Sequence, residues 1–311
     1  MAFYLGIDGG GTKTRCALGD ETTTLATAVA GGSNVIRVGE AQAREALHAS
    51  VREVCAVAKI NPDRIRSICI GAAGAARPEV AGKIQRILAE LTPAAIEVVG
   101  DMVIALEAAF GAGPGVIAVA GTGSIVYGRD AAGRTARAGG WGFAISDEGS
   151  GHWIGQRAVS AILRARDAGQ DTALAAMVLQ AWNLQDLVEL VQAANSQPPP
   201  DFPRLFPVVL RAAGEGDPRA RALLADAGSQ LAGLTAKVIH RLLPQSPHAP
   251  VAMTGSVFRQ STEVRQVFYN CLHARFPSLE VRNELVEPVE GALALARRAG
   301  QTEKAFDRRD R

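Results

Sequence analysis

Two glycine turns constrain this chain more than any other feature. Gly9-Gly10-Gly11 separates the β-prone runs 3–8 and 14–18, and Gly121-Thr122-Gly123 separates the runs 116–120 and 124–129. Each flanking run is short and apolar, and each turn lacks the side chains that resist a tight reversal, so each segment reads as a β-hairpin. Two such hairpins, each opening one half of the chain, suggest a duplicated architecture.

The rest of the pattern fills out both halves. Residues 40–60 carry Ala46, Leu47, Val51, Val54, Cys55 and Ala58 at helical spacing. A strand at 65–71, a helix at 79–91, a strand at 96–99 ending in Gly100-Asp101 and a helix at 102–110 follow. That alternation predicts a mixed α/β sheet covered by helices. Beyond the GAGPG break at 111–115, the second hairpin leads into helix at 147–167 and 172–194 and a Pro-rich rigid loop at 197–203. A long helix at 217–243, a strand at 251–253, a helix at 263–276 and a last helix at 288–299 complete it. The polar residues 301–311 are expected to fray.

Composition removes several function classes. The 311 residues have room for two domains and a sizeable core. Lys+Arg total 33 against 31 Asp+Glu, a formal net charge of +2, so the bulk electrostatic case for a nucleic-acid partner is absent. The longest nearly uncharged stretch, 108–124, is glycine-rich, holds Pro114 and falls short of the roughly 20 apolar residues of a spanning helix. The N-terminus has no basic region before its first strand, so no secretory leader is expected. Cys16, Cys55, Cys69 and Cys271 form no CxxC pair, and His48, His152, His240, His248 and His273 show no metal-ligand spacing. A cytoplasmic protein with neither membrane nor nucleic-acid partner is expected.

The glycine turns also carry chemistry. In Gly6-Ile7-Asp8-Gly9-Gly10-Gly11-Thr12-Lys13-Thr14, consecutive glycines let backbone N–H groups crowd around an anion. Thr12 and Thr14 could add hydroxyl donors, Lys13 a positive charge, and Asp8 a carboxylate for Mg²⁺, directly or through water. Thr12 between Gly11 and Lys13 breaks the Walker A pattern, and Thr14 stands where a Rossmann fingerprint needs its third glycine. Gly121-Thr122-Gly123-Ser124 repeats the same phosphate-binding chemistry, although a plain hairpin turn would account for it by itself. Asp101, just past a strand, suits either a helix N-cap or a carboxylate at the mouth of an α/β crevice, where it could take a proton from a hydroxyl. Gly139-Gly140-Trp141-Gly142 and Ser146-Asp147-Glu148-Gly149 suit a polyol site: carboxylates accept from hydroxyls, and a ring face packs on sugar C–H. Asp147 and Glu148 could instead serve a helix dipole. Gly255-Ser256 ends a late strand and could admit an adenine or ribose.

Taken in order and spacing, GIDGGGTKT, AVAGTGS, GGWGFAISDEGSGHWIG and MTGSVF resemble the N-acetylglucosamine kinase group within the BadF/BadG/BcrA/BcrD-type ATPase family, part of the actin, sugar kinase and Hsp70 superfamily. The resemblance runs from Tyr4 to about Arg298. It implies two ribonuclease H-like domains with an interdomain active-site cleft: 1–110 joined by the C-terminal helix 288–300, and 111–287. It implies ATP and Mg²⁺ as cofactors, an amino sugar as acceptor, and a homodimer. Residue by residue, it makes Asp101 the catalytic base for the sugar's 6-hydroxyl. Asn34, Gly140, Trp141 and Asp147 join Asp101 as sugar-binding residues. Gly9, Gly10, Gly11, Thr12, Lys13, Gly121, Thr122, Gly123, Gly255 and Ser256 hold ATP, and Asp8 the metal. Residues 215–218 resemble the loop before the adenosine-side helix. The acceptor follows as N-acetylglucosamine, with glucosamine as the alternative. A third reading, an ATPase activator or sugar-sensing ATP-binding protein of the same fold, meets an obstacle. Such activators carry cluster-binding cysteines, and no cysteine lies between Cys69 and Cys271.

Overall fold

The computed structural model describes residues 2–243 and 249–307; His248 and residues 308–311 lie outside them. The first hairpin is β1 (Phe3–Gly9) and β2 (Lys13–Gly19), extended by β3 (Thr24–Gly31). After α1 (Val35–Val38) and α2 (Glu40–Ala58) come β4 (Ile65–Ala72), α3 (Pro78–Ala89), β5 (Ala95–Val99) and α4 (Asp101–Phe110). The strand order is β3-β2-β1-β4-β5, antiparallel across the hairpin strands and parallel from β1 to β5.

The second sheet repeats this plan. Strands β6 (Gly115–Ala120), β7 (Ser124–Arg129) and β8 (Thr135–Gly139) form an antiparallel meander, and β9 (Val251–Thr254) and β10 (Val281–Leu285) add in parallel on the β6 side. Its order is β10-β9-β6-β7-β8. Between β8 and β9 lie α5 (Gly151–Asp167), α6 (Ala173–Trp182), α7 (Leu187–Ala194), α8 (Phe206–Gly214) and α9 (Pro218–Leu242). Then α10 (Ser256–Gln260) and α11 (Thr262–Arg275) precede β10, and α12 (Pro288–Asp307) ends the chain. In both sheets the glycine turn joins the central strand to the next. The chain divides into two compact units, Met1–Gly113 with Val286–Arg311, and Pro114–Leu285. Among the described residues no helix is long and apolar enough to cross a membrane.

In the first unit both faces of the sheet are covered. Leu5, Ile7, Ile68 and Ile70 join the core under α2 and α3, while Tyr4 and Cys69, one residue out of phase, join the core under α4 and α12. Strands buried on both sides read as continuous apolar runs, which is why β1 and β4 stand out in the sequence. Strands β3, β8 and β10 do not stand out, and all three are sheet edges.

Other departures from expectation have local causes. The helix expected from 147 begins at Gly151, with the Ser150 hydroxyl accepting the Trp153 N–H at 3.1 Å. Asp147 and Glu148 therefore precede the helix and do not serve its dipole. The stretch 172–194 is two helices, divided where Asn183 adopts a left-handed backbone (φ 55°). Helix α12 runs on to Asp307, past the end at 299 and into the tail expected to fray, because residues 301–305 contain good helix formers.

Helix α12 belongs to the first unit although it follows the second in sequence. It meets β1 and α4 backbone to backbone at two glycines. A Cβ on Gly6 would lie 2.2 Å from the Leu293 nitrogen, and one on Gly291 would lie 2.0 Å from the Ile104 carbonyl oxygen. Around this contact the Ser67 hydroxyl donates to the Ala296 carbonyl at 2.6 Å, and Arg298 pairs with the buried Glu107 at 2.6 Å. Gly6→Ala is therefore expected to destabilise the protein by about 3 kcal/mol in denaturant unfolding, since neither backbone can retreat alone. Gly82→Ala in α3, where a Cβ meets nothing within 4 Å, is expected to be neutral or stabilising. Equal effects from the two substitutions would disprove the close contact.

Candidate active site

In the first unit, strand register brings two acidic residues to one edge. Asp8 pairs with Gly71 on β4, and Gly71 with Val99 on β5, so Asp8 lies level with the residue two before Asp101. Both carboxylates stand at the carboxyl ends of parallel strands, where ligands of open α/β sheets bind. Gly100 is the N-cap of α4, so the cap expected of Asp101 is not its role. Asp101 is the first helical residue, and its Oδ1 accepts the Met102 N–H at 2.9 Å.

The electrostatics follow from that placement. Burial pushes Asp101 above the usual carboxylate range, against the opposing Met102 hydrogen bond. Burial and then the nearby charge of Asp101 push Asp8 up to about 6, with Glu287 adding to the rise and Arg15 and Lys13 opposing it. Arg15 is the residue directly across from Asp8 in the β1–β2 ladder, and its guanidinium pairs with Glu287, just before α12. The sequence analysis missed both. Counting the hairpin register back from the turn would have found Arg15. Glu287 had no local signal.

The Gly10–Thr12 turn is fixed from two sides. The Gly10 N–H donates to the Lys13 carbonyl at 3.1 Å, and the Gly10 carbonyl accepts the Ser33 and Asn34 N–H groups at 3.1 and 3.3 Å. A Cβ on Gly32 would approach the Gly11 carbonyl oxygen to 2.5 Å, so the segment before α1 lies directly on the turn. That contact brings Asn34 beside the first glycine loop. Its Oδ1 caps α1 by accepting the Ile36 and Arg37 N–H groups at 3.1 and 3.3 Å. The cap uses the Oδ1 of this side chain and not its amide Nδ2. Thr12 and Lys13 are exposed on the turn. Thr14 corrects an expectation: it is fully buried, and its hydroxyl donates to the Gly31 carbonyl at 2.7 Å with the Ser33 hydroxyl equally near. It supports the turn and offers nothing to a phosphate.

In the second unit the counterpart turn gathers most of the residues singled out there. The Gly121 N–H donates to the Gly123 carbonyl at 2.9 Å, and the first amides of α5, Gly151 and His152, donate to the Gly121 and Thr122 carbonyls at 2.8 and 3.2 Å. Gly255, at φ 105°, lies against the end of β6; a Cβ there would sit 2.2 Å from the Ala120 carbonyl oxygen. Ser256 Oγ comes within 3.8 Å of the position a Gly121 Cβ would take. The two late residues thus adjoin the glycine turn. Asp147 is buried with its carboxylate over Gly123, where a Cβ would come within 2.8 Å of Oδ2.

The 139–149 loop shows why it needs glycines. Gly139, Gly140, Gly142 and Gly149 all have positive φ, and so does Asp147 at 67°. A non-glycine residue held there costs on the order of 1 kcal/mol, a sign that the carboxylate at this position matters more than the strain. Gly140 also packs closely, since a Cβ would meet Ile125 at 2.7 Å. Trp141 does not join Asp147. It is 65% exposed, stacks under the Arg137 guanidinium at 4.0 Å, and lines a cavity with Ser146 and Glu148 that Asp147 does not enter. Asp217, in the loop assigned to the adenosine side, caps α9 through the Arg219 and Ala220 amides and accepts the Thr172 hydroxyl at 2.6 Å.

Known proteins match this architecture along nearly its whole length. An N-acetylmuramic acid/N-acetylglucosamine kinase of Clostridium acetobutylicum is 30% identical over 303 residues, covering 96% of this chain and 99% of its own. An N-acetyl-D-glucosamine kinase of Dictyostelium discoideum is 30% identical over 309 residues, covering 94% and 97%. A crystal structure of a candidate N-acetylglucosamine kinase from Chromobacterium violaceum superposes with a TM-score of 0.76 at 29% identity, covering 95% of this chain and 99% of that one. The model of one family spans residues 5–296. With two repeated five-stranded sheets of the actin and sugar kinase type, the chain belongs to the BadF/BadG/BcrA/BcrD ATPase family.

Proposed function

We propose that the protein is an ATP-dependent kinase that phosphorylates the 6-hydroxyl of N-acetylglucosamine. The observation that carries this reading is the pair of partly buried carboxylates, Asp8 and Asp101, at the strand edge beside the first glycine turn, each with its proton affinity raised. It occurs in a chain whose relatives are named as kinases of this sugar.

Asp101 is the base. It takes the proton of the 6-hydroxyl as that oxygen forms its bond to the γ-phosphorus and the bond to the departing ADP oxygen breaks. Its burial raises its proton affinity towards what a general base needs. Asn34 donates its Nδ2 to a sugar hydroxyl, and Asp147 accepts from others. The backbone amides of Gly11 and Gly123, with the Thr12 and Thr122 hydroxyls and the Lys13 charge, receive the phosphates, while Gly9, Gly10 and Gly121 shape the turns that present them, the Gly10 and Gly121 amides being held by the Lys13 and Gly123 carbonyls. Gly255 and Ser256 line the nucleotide side.

The residues also suit Mg²⁺. Asp8 is held near Asp101 and Glu287 with its proton affinity raised, and a cation would relieve that repulsion. Among the described residues no three acidic, histidine or cysteine side chains converge as a metal group, which fits an ion that keeps water and phosphate oxygens as most of its ligands. Bound at Asp8, Mg²⁺ would neutralise charge on the phosphates.

Homodimeric assembly and a cytoplasmic location belong to the same reading, and light scattering tests the first. The reaction is tested by ADP release from Mg·ATP with N-acetylglucosamine, glucosamine, glucose or no sugar. A large stimulation by N-acetylglucosamine is expected. Slow turnover indifferent to every sugar would refute the kinase and favour an ATPase activator or sensor.

A further inference from the structure

Asp8 stands opposite a cation that it does not bind. Arg15 on β2 is the residue directly across from Asp8 on β1, and side chains so opposed start about 4.5–5.5 Å apart at Cβ. A guanidinium in that position can take a carboxylate with two parallel hydrogen bonds. Yet among the described residues the Asp8 carboxylate accepts no hydrogen bond and joins no ion pair. The Arg15 guanidinium pairs instead with Glu287, 272 residues further along the chain. Arg15 acts on Asp8 only through space, and less than burial and the Asp101 charge do.

The backbone holds Glu287 where it can take Arg15. Pro288, the first residue of α12, restricts the residue before it to extended conformations. The Glu287 carbonyl accepts the Glu290 N–H at 3.1 Å, which ties the residue to the first turn of that helix. Helix α12 in turn lies backbone to backbone on Gly6, two residues before Asp8. A carboxylate just before a helix is also favoured by the positive end of the helix dipole. Glu287 is therefore a fixed anion beside Arg15. Folding stability does not explain the pair: its side chains are 25% and 39% exposed, and ion pairs so open to water add little.

We propose that Glu287 is a positioning residue for the cation: it holds the Arg15 guanidinium away from Asp8 and so keeps that carboxylate open to Mg²⁺ arriving with the nucleotide. Without Glu287, Arg15 turns to the carboxylate across the ladder and occupies the oxygens the cation needs. The inference rests on the reading of Asp8 as the Mg²⁺ residue. It adds that Arg15 and Glu287, neither of them bound to the metal, set its affinity with opposite signs.

The test is calorimetric binding of Mg·ADP, and of ADP in EDTA, to the full chain without sugar, for wild type, Glu287→Gln, Arg15→Gln and the double variant. An arginine beside a carboxylate favours its charged form by about tenfold or more, so Mg·ADP affinity should fall about tenfold in Glu287→Gln. Arg15→Gln should bind Mg·ADP at least as tightly as wild type, and the double variant should return to within about threefold of it. Affinity for ADP in EDTA should change less than about threefold throughout. A fall that persists in the double variant would make Glu287 a ligand of the metal. Equal falls in both single variants would reduce the pair to a fastening of α12. Either result, or an unchanged Mg·ADP affinity in Glu287→Gln, overturns the proposal. Lost structure alone would weaken Arg15→Gln and the double variant too, so it cannot imitate the expected pattern. Because no sugar is present, the kinase reading is judged separately. A protein that turns over with no sugar but shows the opposed signs refutes the kinase and keeps this inference. One that phosphorylates N-acetylglucosamine while Glu287→Gln binds Mg·ADP as wild type does keeps the kinase and refutes this inference.

Discussion

Asp101→Asn is expected to lower kcat by about a thousandfold while acceptor affinity changes by no more than about twofold. The substitution is nearly isosteric, and an asparagine Oδ1 can still accept the Met102 N–H that the carboxylate accepts at 2.9 Å, so the start of α4 is preserved. What is lost is the ability to take a proton. In wild type, burial places Asp101 above the usual carboxylate range, so turnover should rise with pH through that raised value and then level off. Asp101→Asn should lose this acid limb along with the rate. Steady-state kinetics across pH 5 to 9, with acceptor binding measured separately by calorimetry, checks both parts. Turnover within tenfold of wild type would remove Asp101 from the reaction; a collapse of acceptor binding would make it a binding residue only.

Asp8→Asn should abolish Mg²⁺-dependent turnover and at the same time stabilise the free protein at neutral pH. In the folded chain, burial and the Asp101 charge raise Asp8 from 3.8 to about 6. A folded-state value above the unfolded one means that the folded protein holds a proton which the unfolded chain releases. Stability on this account is full below pH 4, declines as pH rises towards 6, and beyond that carries the whole penalty, about 2–3 kcal/mol. Asparagine removes the charge and the penalty together. The variant should therefore gain about that amount over wild type at pH 7.5 and little at pH 4, in urea unfolding without nucleotide or metal. A stabilisation equal at both pH values, or none at either, would show that Asp8 is not held against its charge. The opposed effects on activity and stability are what a binding carboxylate under electrostatic strain produces.

The parts of this fold that were legible in the sequence share a property. Strands β1, β4, β6 and β7 are mostly apolar and mostly buried, because their faces are covered, and β1 and β6 run into the glycine turns. Asp8 was found for the same reason, standing near the end of β1, and Asp101 because it follows Gly100 at the end of the short strand β5. Of the edge strands β5 was legible, but β8 (TARAG) and β10 (VRNEL) are half solvated and carry charges, so nothing local separates them from loop. The positive φ of Asp147 was equally hidden, since most residues with that backbone are glycines and the sequence shows an acid there.

The amino-acid sequence by itself determined the two glycine hairpins, the alternation of strand and helix, and the acidic residues at the strand ends. These depend on backbone freedom and on hydrophobic period, which act over a few residues. Only the tertiary structure decided that α12 returns to β1 through Gly6 and Gly291, that Glu287 meets Arg15 beside Asp8, and that Gly255 touches Ala120. Those contacts join residues far apart in the chain. Their energies are set by close approach and charge in three dimensions, and no local pattern of residues encodes them.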